Sequence, residues 1–178
     1  GTHVGNALEV KEAIDILAGR AGGRLKEVSL RLGAMMLVAC GTARDELSAR
    51  EALEKALASG AGLEKLRQMI AAQGGDARVC DDTSLLPQAE RKIPVRAEKA
   101  GYVVSMDAAK IGLASQRLGA GRLSKADAID PAVGLVMNVE LGDRIEAGQP
   151  LVTLYANEKG ADEAEVLVRE GIVIDEKP

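Results

Sequence analysis

The stretch from Val139 to Leu151 reads Val-Glu-Leu-Gly-Asp-Arg-Ile-Glu-Ala-Gly-Gln-Pro-Leu. Gly142 and Gly148 each stand where a tight turn favours a positive φ, and one short strand around Ile145 separates the two turns. The spacing predicts a compact β structure in which short strands follow one another through tight glycine turns.

The same kind of pattern extends outward over residues 92–178. Apolar alternation predicts strands over 93–97, 101–106, 133–139 and 151–155. Helical spacing of apolar residues predicts one helix after Asp107 and a second from Ala161 to Arg169, with a polar loop over 122–132. Residues 92–178 are therefore predicted to form a small α+β domain.

The first 75 residues are predicted to be helical. Asn6 is placed to cap the first helix and Glu9 to return the hydrogen bond. The segment Leu25 to Ala39 is apolar almost all round, which indicates burial on several sides. A third helix is predicted to start at Thr42. Residues 76–91 are polar and contain a proline, as expected of a connector.

Composition excludes several classes of function. Lys plus Arg total 23 and Asp plus Glu 27, for a net charge of −4, and the chain has no Phe, no Trp and two Tyr. A phosphate-backbone partner needs basic surface and stacked bases need aromatic platforms, so nucleic acid is not an expected partner. No apolar run approaches the roughly 20 residues of a membrane helix. No signal peptide is expected at the N-terminus.

The sequence is poor in the side chains of common catalytic and metal sites. Cys40 and Cys80 are too few for a disulfide framework and fit thiols in a reducing cytosol. His3 is the only histidine, so histidine-based triads and zinc sites are close to excluded. Glu9 and Glu12 are interpreted as a cap and a solvated residue. No catalytic constellation emerges from the residues alone.

Two further motifs leave alternatives open. Gly119 and Gly121 follow a helix, whereas phosphate cradles precede one, so a helix end and turn is favoured there. The Val139–Leu151 pattern resembles the barrel-sandwich module of biotinyl and lipoyl carriers. Where those carriers have Met-Lys, this sequence has Asn157 and Glu158, with Lys159 one position later. A non-catalytic binding or carrier module is the alternative interpretation.

Several segments in order resemble the pyrimidine-nucleoside phosphorylase family, which includes thymidine phosphorylase. The match runs over essentially the whole chain, in these segments: Val-Gly-Asn-Ala-Leu-Glu-Val-Lys-Glu-Ala at 4–13, Ala-Gln-Gly-Gly-Asp at 72–76, and the segments 101–107, 118–122, 129–134 and 142–148. The resemblance assigns residues 1–75 to helices of the family's central α/β domain, 76–91 to a connector and 92–178 to its C-terminal α+β domain.

The resemblance implies an enzyme, a pentosyltransferase of nucleoside salvage in the cytoplasm. Its members cleave a pyrimidine nucleoside with phosphate, giving the free base and (deoxy)ribose 1-phosphate, and are homodimers. In the family, the phosphate- and base-binding residues precede the segment that begins here at Val4. The expectation is therefore a C-terminal fragment without catalytic residues, inactive alone, whose exposed helices favour self-association.

The resemblance also implies a cation site. Glu12 matches a glutamate ligand and His3 a backbone-carbonyl ligand of potassium or a similar cation, in a shell that is incomplete here. An oxygen-only shell suits such hard cations. No organic cofactor is expected. The loop from Arg122 to Asp130 is expected beside the family's cleft.

Overall fold

The structure is a computed structural model that describes residues 1–177. It divides into two compact units. One unit, called here the helical unit, contains Gly1 and Lys11–Leu85. The other, called the α+β unit, contains Thr2–Val10 and the chain from Leu86 onward.

Four α-helices account for most of the helical unit: α1 Asn6–Leu17, whose first turns belong to the α+β unit, α2 Arg24–Ala39, α3 Glu46–Ala58 and α4 Ala61–Ala72. Two short 3-10 turns follow at Ala77–Cys80 and Thr83–Leu85. Helices α2 and α3 approach closely at Gly33, where a Cβ would come within 2.9 Å of Leu53 Cδ1. Leu30 and Ala34 of α2 are buried, whereas Leu32 is 54% and Met36 67% exposed, so the prediction that this helix is buried on several sides is met on one side only. Within residues 1–177, no helix combines the length and apolar character needed to cross a bilayer.

Two helix starts differ from the sequence-based predictions. Helix α3 begins at Glu46 rather than Thr42, because the Asp45 carboxylate caps it by accepting the Ser48 N–H at 2.8 Å. The Thr42 N–H instead donates to Leu37 O and closes α2. Helix α1 begins at Asn6 itself.

The prediction that the Asn6 side chain caps the first helix is therefore wrong. Glu9 Oε1 does accept a backbone N–H at the helix start, but from Gly5 at 3.0 Å. Asn6 Nδ2 donates to Ala120 O at 2.9 Å, within the α+β unit. A tertiary hydrogen bond thus takes the place of the local cap.

The α+β unit contains two antiparallel sheets. Its strands are β1 His3–Gly5, β2 Arg91–Arg96, β3 Gly101–Met106, β4 Gly134–Met137, β5 Arg144–Ile145, β6 Pro150–Ala156 and β7 Ile172–Asp175. One sheet has the order β1-β4-β6-β2 and the other β5-β3-β7. Helices α5 Ala108–Ser115 and α6 Ala161–Gly171 complete the unit. The predicted α+β class is confirmed.

The hydrophobic core of this unit is formed by both sheets and both helices. Its fully buried members are Val95, Val103, Ala114, Leu118, Val133, Leu135, Ile145, Val152, Leu154, Ala156, Ala164 and Val168. Along β6, the core residues Val152, Leu154 and Ala156 alternate with the more exposed Thr153 and Tyr155, as the period of two of a strand requires. Burial of these apolar side chains is the main stabilising contribution to the unit.

The two glycine turns predicted around Ile145 are confirmed. Gly142 has φ +94° and Gly148 has φ +83°. The N–H of Gly142 donates to Val103 O and that of Gly148 to Ala97 O, both at 2.8 Å. These bonds attach each turn to a neighbouring segment, and Ile145, which lies between the two turns, is fully buried.

Candidate functional site

His3 lies on β1, at the outer edge of the first sheet. Thr2 O accepts the Met137 N–H at 2.7 Å, and the next pair in register is His3 with Val136. Hydrogen-bonded and non-hydrogen-bonded pairs alternate in an antiparallel ladder, and a residue of the second kind directs its N–H and C=O away from the partner strand. The His3 carbonyl therefore points away from β4.

Glu12 lies on α1 in the helical unit, and only 9% of it is exposed. Gly1 is next to it in the same unit: a Cβ on Gly1 would come closer than 3.0 Å to the Glu12 carboxylate. Glycine at this position therefore leaves the carboxylate the space that a larger residue would fill. The interpretation of Glu12 as a solvated residue is wrong, because the residue is buried.

The donor chemistry of these two residues fits a hard cation, because a carboxylate and a carbonyl both offer oxygen. Hard cations such as Ca²⁺ take about six to eight oxygen ligands, so two residues do not complete a shell. Among residues 1–177, no three His, Cys, Asp or Glu side chains are grouped as a metal site would need. The site at Glu12 and His3 stays a prediction.

An open groove of about 600 Å³ lies within the α+β unit, between residues 4–9 and α5. Glu9 is the one charged residue among those lining it. The Ser115 hydroxyl donates to Val4 O at 3.2 Å and is buried, so it is not placed as a nucleophile. With a carboxylate and no basic side chain in its wall, this groove does not attract phosphate.

The segment Gly119–Arg122 ends a helix, as the favoured interpretation has it. Residues Gln116–Ala120 form a π-helical turn after α5, and Gly119 has φ +109°. Gly119 O accepts the Asp130 N–H at 2.9 Å. The Gly119 carbonyl at this helix end thus holds the end of the loop of residues 121–130.

Asp127 organises that loop. Its Oδ2 accepts the N–H groups of Leu123 and Ser124 at 2.9 and 2.8 Å, and its Oδ1 accepts the Ser124 hydroxyl at 2.9 Å. The Ser124 backbone N–H, followed by the Ser124 hydroxyl, lowers the pKa of Asp127, and Lys159 lowers it further. The carboxylate is therefore ionised at neutral pH and holds the loop from within.

We expect this loop to loosen in acid. Because the pKa of Asp127 is lower in the folded chain, its contribution to stability is present above the ordinary aspartate pKa of about 3.9 and is lost as the pH falls through the folded value. Ser124→Ala removes the hydroxyl donor and should raise the pKa of Asp127. An NMR titration of the backbone amides at positions 123 and 124 measures it, with Lys125→Ala as control; a titration unchanged by Ser124→Ala would contradict the assignment.

Lys159, the lysine next to the position that carriers use, is not at a hairpin tip. Residues 157–160 connect β6 to α6, so a helix follows where a carrier domain would return with a strand. Asn157 Nδ2 donates to Asp130 Oδ2 at 2.6 Å and its Oδ1 accepts the Glu90 N–H at 2.9 Å. Lys159 lies beside Gly119. The carrier interpretation is not supported, because the connection is held by the hydrogen bonds of Asn157 to Asp130 and Glu90.

Comparison with known proteins identifies the domain that these elements form. Residues 102–175 match the model of the pyrimidine nucleoside phosphorylase C-terminal domain. These residues belong to that family. The matched phosphorylase domain runs from β3 to β7 and includes the loop of residues 121–130 as well as both glycine turns.

Similarity to phosphorylases extends beyond that domain to nearly the whole chain. A pyrimidine-nucleoside phosphorylase of Bacillus subtilis (strain 168) is 46% identical over 174 residues, which are 98% of this chain and 40% of the relative. One from Staphylococcus aureus (strain USA300) is 45% identical over 163 residues, 92% of this chain and 38% of the relative. The chain thus spans about two fifths of these curated relatives, in their C-terminal part, and the predicted family resemblance is confirmed.

Sequence reasoning missed the structural role of Asn157 and the strand β1. Asn157 was considered only as the counterpart of a carrier methionine, whereas its side chain joins residue 90 to the end of the loop at Asp130. Strand β1 is three residues long and pairs with β4, which begins only at Gly134, so no local pattern shows the pairing.

Proposed function

We propose that this chain is the C-terminal part of a pyrimidine-nucleoside phosphorylase, a pentosyltransferase that cleaves a pyrimidine nucleoside with phosphate. The supporting observation is the 46% identity to the Bacillus subtilis enzyme over 98% of the chain. Phosphate attacks C1′ as the N-glycosidic bond breaks, so that the base leaves with the bonding electrons and the sugar keeps a 1-phosphate. The reaction is reversible.

Such a reaction needs groups that position phosphate and stabilise charge. The attacking phosphate and the departing base both carry negative charge, so cationic and hydrogen-bonding groups must face both, whereas the oxocarbenium-like sugar is positive and is stabilised by the adjacent phosphate. Among the described residues that line the groove beside α5, Glu9 has the one charged side chain. We therefore propose that these contacts come from the part of the enzyme that corresponds to the unmatched three fifths of the relatives.

The remaining expectations complete this proposal. The enzyme would act in nucleoside salvage in the cytoplasm, as a homodimer. Potassium, or a cation like it, would be held by the Glu12 carboxylate and the His3 carbonyl together with oxygen ligands from the rest of the enzyme. Both groups are oxygen donors, and the His3 carbonyl points away from β4, which supports this assignment.

An assay of pyrimidine release tests the proposal. With thymidine or uridine and phosphate, we expect the 178-residue chain alone to release no base above the uncatalysed rate. A chimera that carries the unmatched N-terminal part of the Bacillus subtilis relative ahead of Gly1 should release it. Robust turnover by the 178 residues would contradict the assignment of the reactive groups to the other part, and an inactive chimera would count against the activity itself.

A further inference from the structure

Asn157 uses both ends of its side-chain amide to join two segments that are far apart in the sequence. Its Oδ1 accepts the Glu90 N–H at 2.9 Å, and its Nδ2 donates to Asp130 Oδ2 at 2.6 Å. Turning the amide over would place an NH2 group against an N–H and an oxygen against a carboxylate, so neither bond could form. The side chain therefore has one orientation, which serves both partners at once.

The Glu90 bond lies where the chain enters the first sheet. The α+β unit resumes at Leu86, and β2 begins at Arg91, whose pair on β6 is Ala156. Glu90 and Asn157 are the next residues outward on the two strands, and the bond between them is made by a side-chain oxygen. The Arg91 guanidinium also donates to the Asn157 carbonyl. Both bonds hold the entering chain at this end of the sheet.

The Asp130 bond lies where the loop of residues 121–130 ends. The Asp130 N–H donates to Gly119 O at 2.9 Å, and Asp130 Oδ1 accepts the Ala132 N–H at 3.0 Å. The bond from Asn157 has a carboxylate acceptor, and bonds of this charge-assisted kind are roughly twice as strong as bonds between neutral groups. Asn157 is therefore a principal attachment of the C-terminal end of the loop.

We propose that Asn157 couples the order of this loop to the docking of the entering chain at Glu90, so that release of one loosens the other. When Asp130 moves away, the Asn157 amide loses the partner that fixes its orientation, and the Glu90 N–H loses an aligned acceptor. The coupling acts equally in the other direction, because a coupling free energy between two sites is reciprocal. The loop and residues 86–90 then open as one local unit. This inference goes beyond the proposed function and does not depend on it.

Hydrogen exchange of single amides, followed by NMR in the 178-residue chain, tests the coupling. Asp130→Ala is expected to speed exchange of the Glu90 N–H by about tenfold or more, because this amide would open more often. The Glu90 N–H bonds to Asn157 and not to Asp130, so a purely local effect of the substitution would not reach it. An unchanged Glu90 exchange rate would overturn the proposal.

Asn157→Asp separates the two bonds of the amide. It keeps an oxygen for the Glu90 N–H but offers no donor to Asp130. Exchange of the Asp130 and Ala132 amides should therefore rise about as much as in Asn157→Ala. If both amides kept their original rates in Asn157→Asp, the Nδ2 bond would not hold the loop and the proposal would fail.

Asn138→Ala is the matched control, because Asn138 Nδ2 also donates to a side-chain oxygen, that of Thr153, at 3.0 Å. It should leave the Glu90 and Asp130 amides at their original exchange rates. A Glu90 rate raised as much by Asn138→Ala as by Asp130→Ala would count against the coupling.

The Leu154 amide distinguishes local opening from general destabilisation. Leu154 is fully buried on β6, an inner strand of its sheet, so its exchange reports opening of the whole unit. Its rate should change far less than that of Glu90 in each variant. If the Leu154 and Glu90 rates rose by the same factor, the unit would be opening as a whole and the coupling through Asn157 would be refuted.

Discussion

Alanine in place of Gly160 is expected to lower the free energy of unfolding of the α+β unit by about 3 kcal/mol or more. Gly160 has φ +77° and begins α6. A Cβ there would come closer than 3.0 Å to the carbonyl oxygen of Arg117, a backbone atom that cannot rotate away. The substitution therefore combines an unfavourable backbone conformation with a collision that only a shift of the main chain relieves.

Gly148→Ala is the matched control for this substitution. Gly148 has a similar φ of +83°, but a Cβ there would meet nothing within 4 Å. It should therefore cost only about 1–2 kcal/mol, which is the strain of the left-handed conformation alone. Urea unfolding followed by tyrosine fluorescence measures both, since Tyr102 and Tyr155 both lie in the α+β unit. Equal losses for the two variants would show that the contact with Arg117 is not restrictive.

Leu154→Ala is the second substitution from which we expect a large effect. Leu154 is 0% exposed and lies on β6, where it is opposite Leu135 of β4 and Ile93 of β2. Truncation removes three carbon atoms from the core and leaves a cavity, which costs about 2–5 kcal/mol at such positions. The same urea titration should show an earlier midpoint.

Leu141→Ala provides the comparison for a leucine outside the core. Leu141 is 57% exposed in the turn before β5, so its truncation should change the free energy of unfolding by less than about 0.5 kcal/mol. A loss for Leu154→Ala as small as that for Leu141→Ala would mean that β6 is not the centre of the core.

The parts of the fold that could be predicted are those with local signals. Gly142 and Gly148 adopt a positive φ in tight turns that the local sequence indicates. Asp107 caps α5 by accepting the N–H groups of Ala109 and Lys110 at 2.9 and 3.2 Å. These signals place the turns and the helix start from the sequence alone. Strand β7 is not predicted from the sequence, because it follows Gly171, the last residue of α6, with no connecting segment between helix and strand.

The interpretation of individual side chains depended on contacts that the sequence does not show. Asn6 was expected to cap α1, and its amide instead reaches a residue 114 positions away. Glu12 was expected in solvent and is nearly buried. The assignments of Glu12 and the His3 carbonyl to a cation came only from family resemblance, since two isolated oxygen donors leave no pattern in a sequence.

The α+β unit is assembled from two stretches of chain that lie far apart in sequence. Strand β1 closes one sheet against β4, and the Ser115 hydroxyl donates to Val4 O at 3.2 Å. A boundary drawn at residue 102, where the family model begins, therefore cuts through one folded body. Anyone exchanging this unit with that of a relative would have to transplant residues 2–10 together with the chain from Leu86 onward, because the four-stranded sheet takes strands from both pieces.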